Sequence, residues 1–501
     1  MKPVALTRRT EEIELKLALP TSDPSSLVNQ LARTPPLARR KSTVHHLHNV
    51  YYDTPEQLLR QERIALRLRR VGSDEKPKWL QTLKTGGRTD SALSQRGEWE
   101  ASVPGAELAL DVLKATPWSR IDPDGTVFRT LAPCFVTSFE RTSWSVRRRD
   151  RSLVEVALDI GHIRVGEKST PICELELELL AGQPQALFDL AKQIARTIAV
   201  LPASMSKAER GYALALDALD IPQVAQVPKL AIDLSLPAAA GCVLREMFCQ
   251  FTANLNAMNS SDDPEVVHQG RIGWRRFKSA LRLFKPALAH DAIPSWQALD
   301  PLLGLLGELR DLDVALTDTL PPLVESYTQG DARRTQEWEA MIQAMLLAAA
   351  LQRKSVRYAL QVPAVGATLL ATTQWLEGLS APTGPREVGV ELKVPLRRWA
   401  RQRIDRLHKQ LKAARKNIVN LESQHRVRIL AKRMRYGSEA LQDVLPKKRM
   451  QRLRQQAASL QTSLGAARDV MQASFLAARL EAGGGIAEFL RGVAVGRSNS
   501  G

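Results

Sequence analysis

"EEIELKLALP", residues 11–20, sets Glu12, Glu14 and Lys16 on every second position, with Ile13, Leu15 and Leu17 between them. Successive side chains of a strand point to opposite faces, so this period predicts a strand with one charged and one apolar face. A solvated edge strand explains one such pattern. It does not explain a set. Arg67 and Arg69 alternate with Leu66 and Leu68, Lys84 shares a face with Thr82, and Glu98 and Glu100 flank Trp99. Arg141 falls between Phe139 and Ser143, while Glu155 and Asp159 share a face against Val154, Val156 and Leu158. Glu174, Glu176 and Glu178 alternate with Leu175, Leu177 and Leu179.

Antiparallel sheets commonly keep one wet face, but these faces are sorted by sign, one strand acidic and the next basic. Like charges two residues apart repel unless an opposite charge or a metal intervenes. A closed barrel with a charged lumen, its apolar faces turned outward against helices, provides that arrangement. The expected ligand is highly anionic and arrives with divalent cations. Arg and Lys clamp phosphoryl oxygens, and carboxylate clusters hold hard cations such as Mg²⁺.

The totals agree with an anionic partner. Among 501 residues, 71 Lys+Arg against 53 Asp+Glu leave a net charge of +18 and a pI near 10.0, which points to nucleic acid, an anionic membrane or polyphosphate. The length predicts two or three domains. Cys134, Cys173, Cys242 and Cys249 show no CxxC pair or zinc-finger spacing, and read as buried thiols in a reducing compartment. "MKPVALTRRTEE" lacks the apolar run of a secretory signal, and stretches such as "AMLLAAALQ" are too short to span a bilayer. A cytoplasmic protein is expected.

Up to about residue 215 the period is two. "LHNVYYD", "IALRLRR", "KWLQTLK", "RGEWEAS", "VTSFERTSWSV", "LVEVALDIGHI" and "ICELELELL" join the opening stretch as eight candidate strands, favouring an antiparallel sheet or barrel. Helices are predicted near 23–34 and 183–199. "TGGR" at 85–88 reads as a turn, too short to cradle phosphate. His45, His46 and His48 alternate faces without partner cysteines and read as structural. The Pro-dotted stretch "IPQVAQVPKLAIDLSLP" marks a linker, 216–234.

From residue 235 to about 495 the period becomes that of amphipathic helices. "HQGRIGWRRFKSALRLFKP" from His268 and "HRVRILAKRMRYGSEALQDVLP" from His425 share His-x-x-Arg-x-x-x-[Arg/Lys]-Arg-x-[Lys/Arg]. Each is followed by Leu-Gly-x-x-Arg-Asp, "LGELRD" at 306–311 and "LGAARD" at 464–469, with His-to-Arg intervals of 42 and 43 residues. A duplicated helical unit follows, about 235–380 and 395–495, bridged by "SAPTGPREVGVELKVP". His268, Arg271, Arg275, Lys278 and Arg282 form one helix stripe at steps of three and four. His425, Arg428, Lys432 and Arg435 form the second. Trp274, Phe277 and Tyr436 have core spacing rather than the exposed aromatic interleaving that stacks bases, so nucleic acid is disfavoured.

"EIELK" resembles the Glu-x-Glu-x-Lys signature of the CYTH superfamily, the triphosphate tunnel metalloenzymes. "NVYYDTP", "LRLR", "QTLK", "QRGEWE", "VEVALDIG", "PICELELELL" and "SMSKAERGY" follow in family order over about residues 10–215. The helical half resembles the CHAD domain, two related bundles around a basic cavity. Together they look like bacterial inorganic triphosphatases with fused CYTH and CHAD domains, an α+β chain with an eight-stranded tunnel (residues 1–215) and all-α bundles. The resemblance implies metal ligation by Glu12, Glu14, Asp159 and two of Glu174, Glu176 and Glu178. It implies that Lys16, Arg67, Arg69, Lys84, Arg141 and Lys207 hold triphosphate, joined by Arg39 or Arg40. Lys16, Glu98, Glu100 and Glu155 would serve catalysis, the acids tuning the field or orienting water. Mg²⁺ or Mn²⁺ would be the cofactor, and hydrolysis of a terminal phosphoanhydride the reaction. The CHAD stripes would bind inorganic polyphosphate, in the cytoplasm or at polyphosphate granules, with Arg310 and Arg468 pairing their neighbouring Asp or reaching the anion. The alternatives are a polyphosphate-binding protein with an idle barrel, or a CYTH enzyme acting on thiamine triphosphate or a nucleoside triphosphate, adenylate cyclase included.

Overall fold

A computed structural model describes residues 11–21, 23–72, 77–87, 90–288, 293–379, 394–417, 421–463, 466–480 and 484–499. The segment read as a bridge between the helical repeats lies almost wholly outside them, as do the first ten residues and Leu464–Gly465 of the second Leu-Gly element. Backbone contacts divide the chain into two units, residues 1–221 with 360–374, and residues 222–359 with 375–501. Segment 360–374, within the stretch assigned to the first repeat, thus groups with the β-rich unit.

The opening strand, β1 (Glu12–Ala18), is buried on both faces: Leu15 and Leu17 are 0% exposed, and Glu12, Glu14 and Lys16 no more than 5%. The other strands are β2 (Ser42–Asp53), β3 (Ile64–Val71), β4 (Lys78–Thr85), β5 (Leu93–Arg96) and β6 (Glu98–Val103). After them come β7 (Ala132–Arg147), β8 (Leu153–Val165), β9 (Lys168–Ala181) and the short β10 (Leu201–Pro202). They form one antiparallel sheet in the order β10-β1-β9-β8-β7-β2-β3-β4-β6, with β5 on β1. Only Gly97 separates β5 from β6, so the segment 93–103 bridges the β1 and β4 ends of the curled sheet. A Cβ at Gly97 would lie 2.3 Å from the Trp99 ring, so a larger residue at this corner would have to displace that ring.

Ten strands stand where eight were expected. "RGEWEAS" divides at Gly97 between two partners, and β10 is a two-residue pairing too short for any period to reveal.

The parity read from the sequence sorts the two faces. Leu15, Leu17, Val154, Val156, Leu175 and Leu177 turn outward into a core shared with Leu187, Leu190 and Ile194 of α2 (Gln185–Ile194), while α1 (Leu27–Ala32) adds Leu27 and Leu31. Leu370, from 360–374, completes it. A second outer cluster sets Leu66 and Leu83 against Leu113 and Trp118 of the connection between β6 and β7. Burial of a large aliphatic side chain contributes roughly 1.5–3 kcal/mol, so these outer cores anchor the wall whose inner face is charged. At one end the inner face turns apolar, and Phe135, Phe139, Ile163 and Ile172 receive Ala208 and Tyr212 of α3 (Lys207–Ala215). Ser206 caps that helix in a reciprocal box with Glu209.

In the second unit α4 (Leu236–Ala257) packs along α5 (Pro264–Phe284), with Phe248, Phe251, Trp274 and Phe277 in ring contact. Along the chain then follow α6 (Asp300–Val314), α7 (Ala332–Leu360), α8 (Pro363–Gly378), which falls mostly in the β-rich unit, and α9 (Leu396–Lys416). The chain ends in α10 (Leu421–Ala440), α11 (Lys447–Ser463), α12 (Ala466–Arg479) and α13 (Gly484–Asn499). Arg276 of α5, wholly buried, ties the two repeats: its guanidinium meets Glu246 of α4 at 3.0 Å and Glu439 of α10 at 2.6 Å. Among the described residues no helix is long and apolar enough to cross a membrane.

Candidate functional sites

Because β1, β9, β8 and β7 pair in fixed register, their inward charges fall into rows. Glu178 stands between Glu14 and Glu155; Lys16 is level with Glu176; Asp159 lies between Glu174 and Arg141. Across the lumen, β3 supplies Arg67 and Arg69, β4 Lys84 and Thr82, and β6 Glu98 and Glu100. The cavity between them measures about 460 Å³, within the usual range for a small-molecule site.

The charges are interlocked. Lys84 Nζ donates to both Glu12 carboxylate oxygens at 2.8 and 2.9 Å and lies 3.1 Å from Glu98. Arg141 forks onto Asp159 through two 2.7 Å bonds and also reaches Glu176. Lys207, the first residue of α3, contacts Asp159 at 2.6 Å, Glu174 at 2.5 Å and Glu176 at 2.9 Å. Burial disfavours charge, and neighbours of opposite sign offset it. Lys16 is raised despite burial by Glu14, Glu176 and Glu174, and Glu176 is held well below the carboxylate range by Lys207, Arg141 and Lys16 against the opposing effect of burial.

The opposite bank is less compensated. Arg67 reaches Glu98 only at 3.8 Å, and its buried Nε lacks a hydrogen-bond partner. Arg69 donates to Asn49 Oδ1 at 2.7 Å and, among the described residues, makes no ion pair. Burial, then Arg67 and Arg141, push the Arg69 guanidinium down to about 10. Arg67, by contrast, is raised despite burial by Tyr51, Glu98 and Glu100, so Arg69 is the less compensated of a guanidinium pair able to donate to an oxyanion.

The structure gathers the tunnel residues read from the sequence, but does not bring the six acids assigned to metal into one cluster. Asp159, Glu174 and Glu176 place ligand oxygens within 4.8 Å of one another. Glu12 sits six residues along β1 from the level of Glu174, about 20 Å away, held by Lys84 and Arg96. Glu178 adjoins Glu14 and Glu155. The triad is all carboxylate, the donor set of hard divalent ions, and the Lys207 ammonium at its centre shows that it accommodates a compact cation. Arg39 and Arg40 do not line the cavity; Arg40 donates to the Pro36 and Ser145 carbonyls. His45 and His46 are exposed, and His48 bonds to Ser138.

Arg96 was missed. It bonds to Glu12 at 2.8 Å and Glu14 at 2.6 Å from inside the lumen, and these carboxylates raise it far above its ordinary value against burial. Its signal was available, since Arg96, Glu98 and Glu100 share one parity.

In the helical unit the two stripes meet. Arg275 of α5 acts on His268 and Arg271 of its own helix and on Arg428 and Lys432 of α10. Arg310 acts on His268, and Arg468 on Arg428 and Lys432. Burial followed by Arg310 pushes His268 down to about 4; burial followed by Arg428 pushes Lys432 down to about 8. His268 Nδ1, Arg275 Nε and Arg428 Nε are buried without partners. Lys278 instead lies over the Trp274 and Trp296 rings, and Arg435 over Tyr436. Arg282 and His425 are exposed. Arg310 pairs with Asp318 at 3.6 Å rather than with adjacent Asp311, while Asp311 and Asp469 are raised chiefly by burial.

The CYTH domain family matches residues 10–212 and the CHAD domain family residues 242–478. An inorganic triphosphatase of Haemophilus influenzae is 35% identical over 206 residues, 41% of this chain and 55% of that protein, so the chain spans about half the length of that curated relative. The crystallised CHAD domain of the plant Ricinus communis is 26% identical, with a TM-score of 0.47 over 56% of this chain and 92% of that one. A Hippeastrum protein, named for adenylyl cyclase and described as having a dominant triphosphatase activity, is 20% identical, with a TM-score of 0.31 over 40% of this chain and 95% of that one. The chain joins an N-terminal CYTH domain to a CHAD domain.

Proposed function

We propose that the tunnel hydrolyses inorganic triphosphate to pyrophosphate and orthophosphate with Mg²⁺ or Mn²⁺, and that the helical unit docks inorganic polyphosphate. One observation carries the first part: the lumen sets Arg67 and Arg69, the latter without an ion pair among the described residues, opposite a surplus of carboxylates. Among the lining residues and the Asp159 triad, nine carboxylates face seven cations. Such a lumen repels a bare polyanion and admits one that carries divalent cations. The similarity to an inorganic triphosphatase supports the same substrate class.

Arg67, Arg69 and Arg141 grip the phosphoryl oxygens and stabilise charge on the leaving pyrophosphate. Lys16 and Lys84 exchange part of their carboxylate contacts for substrate oxygens. Asp159, Glu174 and Glu176, or Glu14 and Glu178, hold the divalent ion, which when bound neutralises phosphoryl oxygens and polarises water. Glu155 and Glu178, adjacent across β8 and β9, orient the attacking water and take its proton. Water oxygen bonds to the terminal phosphorus as the bridging P–O bond breaks, giving one orthophosphate and one pyrophosphate.

Support for the second part is the like-charged, partly dehydrated cluster around Arg275, with buried donors unpartnered. Cytoplasmic placement, including at polyphosphate granules, belongs to the same proposal. The test is phosphate release from tripolyphosphate, thiamine triphosphate and ATP with Mg²⁺. Preference for tripolyphosphate supports the reading, and preference for either organic triphosphate rejects it.

A further inference from the structure

Beside the tunnel lies a second cavity of about 110 Å³. Lys16, Lys84 and Arg96 line both spaces, as do Glu14 and Ser206, so the smaller one continues the lumen past α3. Its own walls add Arg60, Arg63, Gly86, Gly87 and Tyr212.

These walls are built. Buried Asp53 accepts the backbone N–H groups of Leu59 at 2.8 Å and Arg60 at 3.0 Å, and the Tyr212 hydroxyl at 2.7 Å. That anchor fixes the turn carrying Arg60, whose guanidinium lies 5.9 Å from the Tyr212 ring centroid. Arg63 takes the left-handed conformation, φ +57°, and donates to the Gly87 carbonyl. A Cβ at Gly86 would fall 2.6 Å from Arg63 Cβ. The glycine pair of "TGGR" therefore lets this loop lie against Arg63 and close one side of the cavity.

Charge separates this mouth from the tunnel proper. Lys16, Lys84 and Arg96 each meet a carboxylate within 4 Å. Arg60 and Arg63, among the described residues, meet none: Arg60 donates to Gln57 and Arg63 to a carbonyl. The one lining acid outside the tunnel set, Glu209, is engaged in the Ser206 cap at 2.7 and 2.8 Å. An anion moving outward from Lys16, Lys84 and Arg96 thus meets two positioned, uncompensated guanidiniums.

We propose that this second mouth, at Arg60 and Arg63, binds a phosphoryl oxyanion. It is either orthophosphate leaving the tunnel, or the next phosphoryl unit of a linear chain longer than triphosphate. The inference rests on the triphosphatase reading and goes beyond it by giving the lumen a second phosphate port.

The experiment uses the full chain and the Arg60→Ala/Arg63→Ala double variant. Inhibition constants for orthophosphate and pyrophosphate are measured against tripolyphosphate hydrolysis, together with the kcat/KM ratio of tetrapolyphosphate to tripolyphosphate. Loss of two charge-assisted contacts should raise the orthophosphate-to-pyrophosphate ratio of inhibition constants about tenfold if the port serves product. It should lower the tetra-to-tri ratio by a similar factor if the port serves a longer chain. Arg60→Lys/Arg63→Lys should restore part of either effect. Both ratios at wild-type values in a variant that still turns over would overturn the port. A wild-type chain without tripolyphosphate hydrolysis would instead overturn the triphosphatase reading.

Discussion

The tunnel and the helical cluster both concentrate positive charge, yet they handle it in opposite ways. In the tunnel almost every cation is locked to a carboxylate, so Lys16, Arg96 and Lys207 are raised above their ordinary values although buried. In the helical unit Arg271, Arg428 and Lys432 are lowered, by burial and by neighbouring guanidiniums, Arg275 acting on all three. Alternating signs specify where each oxygen and cation must sit. Massed like charge attracts any polyanion and orders nothing. The first arrangement suits chemistry, and the second suits docking.

The largest effect that could break this contrast lies in the tunnel. Arg67→Ala or Glu14→Ala should lower tripolyphosphate hydrolysis by about three orders of magnitude, since each removes a contact made to the developing charge or its counter-ion. Phosphate release checks this, and turnover near the wild-type rate would show that the sorted charges are only structural. Next comes the cluster. Replacing Arg271, Arg275, Arg428 and Lys432 together by Ala should weaken long-chain polyphosphate binding roughly a hundredfold and flatten its log–log salt dependence by about 3. Retention on immobilised polyphosphate at several salt concentrations reads both. Tripolyphosphate turnover should change much less, because the tunnel does not share these residues.

The smallest effect sharpens the comparison through pH. Lys432 titrates at about 8 before the anion arrives, and a bound oxyanion favours its charged form. Polyphosphate affinity should therefore fall about tenfold between pH 7 and pH 9, one proton being linked to binding, and Lys432→Arg should abolish the slope. Stability runs the other way. With its folded value below the unfolded value of 10.5, Lys432 binds more proton when unfolded, so its burden on the fold lifts as pH rises through 8. Thermal melting of the wild type and Lys432→Arg between pH 7 and 10 would show whether that sign is right.

The wall of the tunnel was legible because a period of two assigns every strand residue to a face without knowledge of its neighbours. Glu12, Glu14 and Lys16 follow from that parity alone. Arg96 escaped because Gly97 splits one apparent strand between two partners, and parity was read only from Glu98 onward. Asn49, which accepts from Arg69, and Tyr51, which lines the cavity, escaped because uncharged residues carry no sign to sort. The separation of Glu12 from the Asp159 triad depends on strand register, which a parity reading does not contain. On the helices, steps of three and four found the stripes. They did not reveal that Arg276, one residue past Arg275 and so about 100° around α5, would be buried as the tie to Glu246 and Glu439. Nor did they distinguish His268, inside the cluster, from exposed His425.

Orthophosphate and pyrophosphate released from tripolyphosphate by the intact chain, with Mg²⁺ and with a chelator, test the gripping of an anion together with its cation. Equal molar amounts of the two products with Mg²⁺, and none with the chelator, are the predicted result. Turnover that persists in the chelator, or no turnover under either condition by a chain that still binds polyphosphate, would contradict it.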